Sequence, residues 1–525
     1  MSGPQVERGH EEPMQEVVII GAGLGGIGVA IKLREAGIED FVLLERAGDI
    51  GGTWRDNTYP GIASDVPAQV YQYSFELNPD WSHVFAPGQE IMAYIRRLAD
   101  KYGIMARVRL DSEVRARTWD EACHLWRLDT PQGEVTARYV ISAIGAFVDP
   151  KPVDIPGVER FAGTTMHTAS WDHDLDLRGR RVAMIGTGAS AVQIIPEIAD
   201  DVAHLDVFQR TPIWVGPKPD VPTPWPLRRL FRAVPAVQEA LRRVSVSLAE
   251  TVLVGGVLQY QDHPRFADLL ASANRNIWYR LQVRDPELRA ALTPDYGFGC
   301  KRPSVSNRYL KTFTRDHVDL VTTAIGEVTP EGVRTRDGVV HEADVLILAT
   351  GFRMATDPDV YERTPVRGRD GFDLSTTYRE ERLRSYEGVT LPGLPNHFIV
   401  FGPYGWIGGT WHQLVEIASA HAIRVITAAQ RLGATSVEVR DEACERWTES
   451  MRERFGRSLF LSGGCATANS YYFDSRGDVP YLRPTSSAEA VKATASFPLD
   501  DYEFRSLDEG ATLVPGDELS AASVD

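Results

Sequence analysis

The sequence is poor in cysteine. Cys123, Cys300, Cys444 and Cys465 are its only cysteines among 525 residues, and no two of them form a CxxC pair. Structural zinc sites and redox dithiols draw on closely spaced cysteines, and disulfide scaffolds draw on many of them. The cysteine content therefore argues against a disulfide framework, a zinc site or a redox dithiol, and we predict no metal ligands.

The sequence also lacks a long apolar run. Residues 17–31 are apolar, but they are rich in glycine and fewer than the roughly 20 residues that cross a bilayer. The first residues, MSGPQVERGHEEPMQ, are polar and acidic, unlike the basic start of a secretory signal. We therefore expect a cytoplasmic protein without a transmembrane segment.

The chain has fewer positively charged than negatively charged residues. The chain has 56 lysines and arginines against 72 aspartates and glutamates, which gives a net charge of −16. This balance argues against nucleic acid or an anionic membrane as the main partner. The hydrophobic content of 43% and charged content of 24% are typical of a globular protein. A chain of this length predicts about three or four compact units.

A nucleotide-binding pattern begins near the N-terminus. The short apolar strand at residues 17–20 leads into GAGLGGIG, a helical stretch VAIKLREAG, and a second strand FVLLE that ends at Glu45. In such a unit Gly21 permits the tight turn, Gly23 lets the backbone approach a pyrophosphate, and Gly26 lets helix and strand pack closely. Glu45 can accept hydrogen bonds from a ribose diol, which suits FAD or NAD.

A second copy of this pattern follows. RVAMIGTGASA supplies a strand and a turn with Gly186, Gly188 and Ala191, and VQIIPEIAD and LDVFQR supply a helix and a strand. Arg210 and Thr211 stand where the first unit has its acid. A guanidinium and a hydroxyl can bind a 2′-phosphate that a carboxylate would repel, so this unit favours NADPH over NADH.

The two patterns predict an α/β protein with two Rossmann-like dinucleotide-binding domains, for FAD and NADPH, and a helical insertion. The predicted divisions are a flexible N-terminal segment (1–14), the first part of the FAD-binding domain (15–148), the first part of the NADPH-binding domain (157–220), the helical insertion (221–295), the second part of the NADPH-binding domain (296–352), the returning part of the FAD-binding domain (353–484) and a C-terminal tail (485–525). The two crossings, near residues 150 and 351, are expected to act as a double hinge.

One nucleotide of each kind implies electron flow from NADPH to the flavin. A disulfide reductase would need a close cysteine pair beside the flavin, and the sequence offers none. Oxygen is then the expected acceptor of the electrons.

Four short motifs extend this interpretation. They are FAGTTMHTASWD at 161–172, GGTWRDNTYPGIASD at 51–65, CKRP at 300–303 and ATGF at 349–352. The first matches the fingerprint FxGxxxHxxxW[PD], and together they resemble the Baeyer–Villiger monooxygenases, flavoenzymes that insert one oxygen atom beside a carbonyl. The resemblance covers about residues 17–484. It implies conversion of a ketone to an ester or lactone through a C4a-peroxyflavin and a Criegee intermediate.

The resemblance also assigns roles to individual residues. Arg302 corresponds to the catalytic arginine that steadies the anionic oxygen intermediate, and Asp65 corresponds to the acid that orients it. Lys301 corresponds to a basic neighbour of the NADPH phosphate. Further positions expected to bind the cofactors are Gly52, Thr53, Trp54, Asp65, Tyr71 and Ser190. Phe161, Gly163, His167 and Trp171 correspond to hinge residues that couple NADP position to domain rotation.

The substrate and two other functions stay open. We expect an apolar ketone and O2 as partners, with aromatics of PYGWIGGTWH (403–412) near the flavin or in the ordinary core. A flavin-dependent N- or S-monooxygenase would share both nucleotide sites but carries Tyr where this chain has Trp171. An NADPH oxidase or redox-sensing flavoprotein is the other alternative. The segment NSYYFDSRGDVPYLRP departs from the form common in ring-expanding relatives, and the oligomeric state is left open.

Overall fold

Two sheets with helices on their faces form the framework of the protein. The structure, a computed structural model, describes residues 13–408, 410–507 and 512–513. The predicted flexible segment 1–14 lies almost wholly outside these residues. The prediction of an α/β protein with two Rossmann-like units agrees with this framework.

The first sheet has eight strands among the described residues. In spatial order they are Val366–Arg367, Ala116–Asp120, Leu125–Thr130, Gly133–Ser142, Gln15–Ile20, Phe41–Leu44 and Val108–Arg109, with His397–Ile399 also paired to Gly133–Ser142. Strand Gln15–Ile20 is parallel to both of its neighbours. Its apolar residues are buried on both faces, as expected for a parallel sheet covered by helices.

The second sheet is parallel throughout. Its strands, in spatial order, are Val318–Val321, His204–Phe208, Arg181–Ile185, Val345–Leu348 and Thr164–His167. Strand Arg181–Ile185 leads directly into the second glycine turn. Ligands of parallel sheets bind beyond the carboxyl ends of the strands, so the nucleotide site of this sheet is expected beside the second glycine turn.

Helices cover the two sheets and fill the insertion. On the sheets they are Leu24–Glu35, Thr53–Asp56, Gly88–Lys101, Ala189–Ile198, Tyr309–Thr312, Pro358–Arg363, Leu374–Glu380, Trp411–Leu432 and Asp441–Phe455. In the insertion they are Trp225–Ala233, Pro235–Glu250, Thr251–Leu258, Pro264–Ala273, Asn274–Trp278, Tyr279–Gln282 and Pro286–Leu292. Across the described chain, no helix has both the length and the apolarity that crossing a bilayer requires.

The two crossings between the sheets pair with each other. Strand Phe147–Pro150 runs antiparallel to strand Phe352–Met354 and forms a two-stranded ribbon. Three smaller groups of strands complete the structure: Val215–Gly216 with Ser304–Val305; Ile325–Thr329, Gly332–Thr335 and Val340–Glu342; and Ser436–Val439, Tyr502–Arg505 and Thr512–Leu513. The ribbon is the element on which the predicted double hinge would act.

The C-terminal region differs from the predicted loose tail over its described part. Residues Ser487–Ser496 form a helix, and strand Tyr502–Arg505 pairs with Ser436–Val439. Phe497 and Phe504 are buried in the core of the first sheet. Because small residues dominate the composition of this region, the sequence did not predict that these few apolar residues would pack into the core. The positions after 507, apart from 512–513, lie outside the described residues.

The sequence argued against a disulfide framework, and the described residues contain one single disulfide. Cys300 and Cys465 are joined by a disulfide, although 165 positions separate them in the sequence. Both residues are buried, whereas Cys123 is free and exposed and Cys444 is free and buried. Sequence spacing could not reveal a pair that only the folded chain brings together.

We predict that Cys465→Ala destabilises the protein by about 2–4 kcal/mol, because a crosslink over a long loop restricts the unfolded chain. The midpoint of urea unfolding, measured without reductant, should fall. Cys123→Ala is the matched control and should leave the midpoint unchanged. An unfolding midpoint of the parent protein that does not respond to dithiothreitol would contradict the crosslink.

Candidate active site

A cavity of about 1770 Å³ joins the two glycine turns. A site for one drug-sized ligand has a volume of roughly 300–1000 Å³, so this cavity has room for more than one. The predicted site residues that line it are Gly21, Gly23, Glu45, Gly52, Thr53, Trp54, Asp65, Tyr71, Gly186, Gly188, Ser190, Arg210, Thr211, Lys301 and Arg302. Gly26 lies behind the wall, and the four fingerprint residues lie outside the lining.

The first glycine turn leaves its backbone open to the cavity. Gly21 has φ +100°, which favours glycine, and a Cβ at Gly26 would lie 1.8 Å from the Gly21 carbonyl oxygen. Gly23 precedes helix Leu24–Glu35 and lies against Gly52, where a Cβ would lie 3.2 Å from the Gly23 Cα. The free N–H groups at the start of this helix therefore face a narrow backbone cradle suited to phosphates.

Glu45 is fixed at the edge of this cradle. It is buried, and its carboxylate accepts hydrogen bonds from the Ala22 N–H at 2.8 Å and from Arg55 at 2.9 Å. Arg55 also donates to Asp56 at 2.7 Å. The carboxylate is thus held at the end of its strand, in the position where a ribose diol would meet it.

Two positively charged side chains lie near the second glycine turn. A Cβ at Gly188, which precedes helix Ala189–Ile198, would meet no atom within 4 Å. Lys301 and Arg210 both line the cavity near this turn. Burial, followed by repulsion from Arg210, lowers the pKa of Lys301. Two cations that repel each other in a cavity wall favour an anion between them, such as a 2′-phosphate.

Arg302 is held by both oxygens of one carboxylate. Its Nε donates to Asp65 Oδ2 at 2.9 Å and its terminal nitrogen donates to Oδ1 at 2.8 Å. The guanidinium also lies 5.5 Å from the centroid of the Trp406 ring. The Arg302 side chain is 32% exposed, and this surface lines the cavity. The charge of Asp65 raises the pKa of Arg302, so its positive charge is permanent.

An aromatic group stands near the first turn. The Trp54 indole N–H donates to the Tyr71 hydroxyl at 3.0 Å, and Tyr71 packs edge-on against His412 at 4.7 Å. Within the segment 403–412, Trp406 and Trp411 line the cavity, whereas Tyr404 is buried in the core. Some aromatics of the segment therefore line the cavity and others belong to the ordinary core, the two possibilities that the sequence left open.

The fingerprint residues lie in and around strand Thr164–His167, the edge strand of the second sheet. A Cβ at Gly163 would lie 2.3 Å from the Asp344 carbonyl oxygen, which explains the glycine. Burial lowers the pKa of His167, whose ring packs against Phe352 of the ribbon at 5.8 Å. Phe161 and Trp171 pack against the apolar side chains on opposite faces of the second sheet. The contact of His167 with Phe352 joins the fingerprint to the ribbon, and the role of the fingerprint in domain rotation stays a prediction.

Comparison with known proteins agrees with this geometry. Residues 18–247 match the family profile described as Pyridine nucleotide-disulphide oxidoreductase. A Baeyer–Villiger monooxygenase of Streptomyces coelicolor is 39% identical over 501 residues, which covers 94% of this chain and 94% of that protein. The chain belongs to the Baeyer–Villiger monooxygenase family. The family assigned from the sequence motifs is thereby confirmed.

Solved structures of the family have the same fold. OTEMO in complex with FAD and NADP is 28% identical, with a TM-score of 0.80, over 94% of this chain and 100% of that chain. Cyclohexanone monooxygenase from Rhodococcus sp. Phi1 bound to NADP+ is 27% identical, with a TM-score of 0.83, over 94% of this chain and 100% of that one. These matches confirm the predicted α/β fold class with two nucleotide-binding units.

Sequence reasoning missed two residues that line this cavity, Asn469 and Tyr471. With its amide oxygen toward the guanidinium, Asn469 accepts a hydrogen bond from Arg210 Nε at 2.9 Å. Tyr471 lines the cavity and packs edge-on against Phe147 of the ribbon at 5.9 Å. Both residues belong to the segment that departs from the form common in ring-expanding relatives. That departure was the available signal, but it gave no position for either side chain.

The buried His412 generates a prediction about pH. Its two ring nitrogens have no hydrogen-bond partner among the described residues, and burial lowers its pKa to about 3. Below about pH 6.5 the His412 imidazole is protonated in the unfolded chain but stays neutral in the folded protein. His412 therefore destabilises the fold increasingly as the pH falls below about 6.5.

We therefore predict that His412→Leu changes the free energy of unfolding in a pH-dependent way. Relative to the parent, the variant should gain about 2 kcal/mol between about pH 8 and about pH 5. Urea unfolding at both pH values measures this difference. His263→Leu, at an exposed position, is the control. If the free energies of unfolding of His412→Leu and the parent differed by the same amount at both pH values, the lowered pKa of His412 would be contradicted.

Proposed function

We propose that this chain is an FAD-containing, NADPH-dependent Baeyer–Villiger monooxygenase that inserts one atom of O2 beside the carbonyl of an apolar ketone. The products are an ester or lactone, water and NADP+. The observation that carries the proposal is the fixed Arg302–Asp65 pair in the wall of the cavity that joins the two glycine turns. When bound, FAD accepts the electrons of NADPH and activates O2.

The residues of the first turn fit FAD. The Gly23–Gly52 cradle and the start of helix Leu24–Glu35 would receive the pyrophosphate, and Glu45 would accept hydrogen bonds from the ribose. Trp54 and Tyr71, which are joined by a hydrogen bond, would lie along the flavin and limit the access of water.

The residues of the second turn fit NADPH. Gly188 leaves space at the start of helix Ala189–Ile198 for the pyrophosphate. Arg210 and Lys301 would bind the 2′-phosphate, and Asn469 would hold the Arg210 guanidinium in place. A bound anion would also relieve the repulsion between the two cations.

Arg302 would supply a permanent positive charge where negative charge develops on oxygen. Asp65 takes up two of the guanidinium donors and fixes its plane, so the remaining N–H groups can point into the cavity. A neutral or movable group would not hold an oxyanion beside a carbonyl in this way. This arrangement favours ketone oxygenation over oxygenation of soft nitrogen or sulfur.

We predict that Arg302→Ala keeps NADPH-driven reduction of the flavin near the parent rate but lowers ester formation by about 10²–10³-fold. NADPH oxidation, hydrogen peroxide and ester are measured together, and the lost ester should appear as peroxide. Arg334→Ala, which removes an exposed arginine of a hairpin, is the control. Ester formation at the parent rate in Arg302→Ala would refute the role of this residue.

We predict further that Arg210→Ala raises the KM for NADPH about ten- to a hundredfold and changes the KM for NADH little, because only NADPH carries the 2′-phosphate. Steady-state flavin reduction with each nucleotide measures both values. Arg178→Ala removes an exposed cation of the same unit and serves as the control. Equal changes for the two nucleotides would place the 2′-phosphate elsewhere.

A further inference from the structure

The helical insertion carries an apolar stripe that faces solvent. It runs along helix Pro235–Glu250 and one residue or two beyond each end. Its members, with their exposed fractions, are Val234 (43%), Val237 (38%), Leu241 (40%), Val244 (57%), Leu248 (65%) and Val252 (40%). The intervals of three and four residues place these side chains in one line along the helix. We call this set the solvent stripe.

The side of the same helix that faces the protein is polar. Gln238 is 1% exposed and donates to the Asn78 carbonyl oxygen at 2.7 Å and to Gln69 Oε1 at 2.9 Å. Arg242 is half-buried and donates to Glu239 at 2.8 Å. A surface helix normally packs its apolar residues inward and exposes its polar ones. This helix does the reverse, and an exposed apolar row of this kind marks an interaction surface.

The charge around the solvent stripe differs in sign from that of the whole protein. Five arginines against two glutamates give residues 225–250 a net charge of +3, whereas the chain carries −16. Arg232 pairs with Asp80 of a neighbouring segment, which leaves the patch a net charge of about +2. Arg229 and Arg243 are exposed, and Trp225, at the start of the preceding helix, is 67% exposed. Apolar residues in a row, arginines beside them and a tryptophan at one end are features of helices that lie in a membrane interface.

We propose that the solvent stripe docks the enzyme on an anionic lipid bilayer. The apolar side chains would enter the boundary between head groups and acyl chains, and exposed arginines such as Arg229 would pair with anionic head groups. Charges interact over roughly 8–10 Å at physiological salt, so the charge of this patch, and not the net charge of the whole chain, governs the contact. The net charge of the whole chain argues against an anionic membrane as the main partner, but it does not describe the charge of this patch.

A second copy of the chain is the competing occupant, since the spacing of the solvent stripe would also suit a helix pair. Pairing about a two-fold axis would bring two patches of net positive charge together. The central acid, Glu239, already binds Arg242 and Arg243 at 2.8 Å each and has little capacity left for a partner. Charge complementarity therefore favours the lipid surface.

The stripe is connected to the site. The helix continues into Thr251–Leu258, where the Leu253 side chain lies against Gly408, two residues after Trp406 of the cavity wall. Docking would bring this wall close to a phase in which apolar ketones dissolve. This consequence rests on the proposed function, but the docking itself does not.

The test is flotation of the FAD-loaded enzyme with vesicles. Two compositions are compared, phosphatidylcholine alone and phosphatidylcholine with phosphatidylglycerol at two to one, at low and high salt. The variant Val244→Glu with Leu248→Glu inverts the character of the stripe. Val339→Glu with Val491→Glu is the matched control, because these valines are 51% and 49% exposed outside the insertion and the charge change is the same.

We expect the parent and the control variant to float with the anionic vesicles, to bind phosphatidylcholine more weakly, and to dissociate at high salt. The stripe variant should bind the anionic vesicles about tenfold more weakly or worse. No binding by the parent, or equal loss in both variants, would overturn the proposal. So would a parent dimer in sedimentation that the stripe variant alone abolishes, because the stripe would then be a protein interface. Flotation reads binding alone, so its failure is distinct from failure of ketone oxygenation.

Discussion

Arg302 and Asp65 come from parts of the chain that are 237 residues apart and meet in the wall of one cavity. Asp65 lies in the predicted first part of the FAD-binding domain, and Arg302 lies after the helical insertion, in the predicted second part of the NADPH-binding domain. Their two hydrogen bonds therefore require the two units to lie together. A separation of the units would free the guanidinium and remove the fixed charge from the cavity. The pair thus links the relative position of the units to the charge in the cavity wall.

Other contacts hold the surroundings of this pair. The Cys300–Cys465 disulfide joins the loop of Lys301 and Arg302 to the segment that carries Asn469 and Tyr471. Gln193 of the second unit donates to the Ala63 carbonyl oxygen at 3.0 Å, close to Asp65 in the sequence. Neither disulfide cysteine lines the cavity, so the bond positions these loops and offers no dithiol to the flavin. A disulfide beside the site is in this way compatible with oxygenase chemistry.

Local patterns in the sequence predicted much of the framework. The glycine turns, the acid at Glu45 and the basic residue at Arg210 follow from spacing within one βαβ unit, where the backbone geometry is fixed by a few residues. The helical insertion followed from apolar periodicity. Periodicity, however, cannot tell which face of a helix packs inward, and the helix Pro235–Glu250 turns its polar side to the protein.

Contacts between distant segments were beyond the sequence. Asn469 restrains Arg210, and Cys300 meets Cys465, and neither of these pairs has a local signature. The described part of the C-terminal region packs through a few apolar residues in a small-residue context, so its composition predicted a loose tail. In each case tertiary packing supplied a partner that composition and spacing do not encode.

The most direct measurement of the central claim is the fate of isotopically labelled oxygen gas. The purified, FAD-loaded protein is given NADPH, labelled O2 and a panel of linear and cyclic ketones, and the products are analysed by mass spectrometry. The account predicts an ester or lactone with one labelled oxygen atom, formed with consumption of one NADPH and release of labelled water. Consumption of NADPH that yields only labelled hydrogen peroxide, with every ketone returned unchanged, would contradict it.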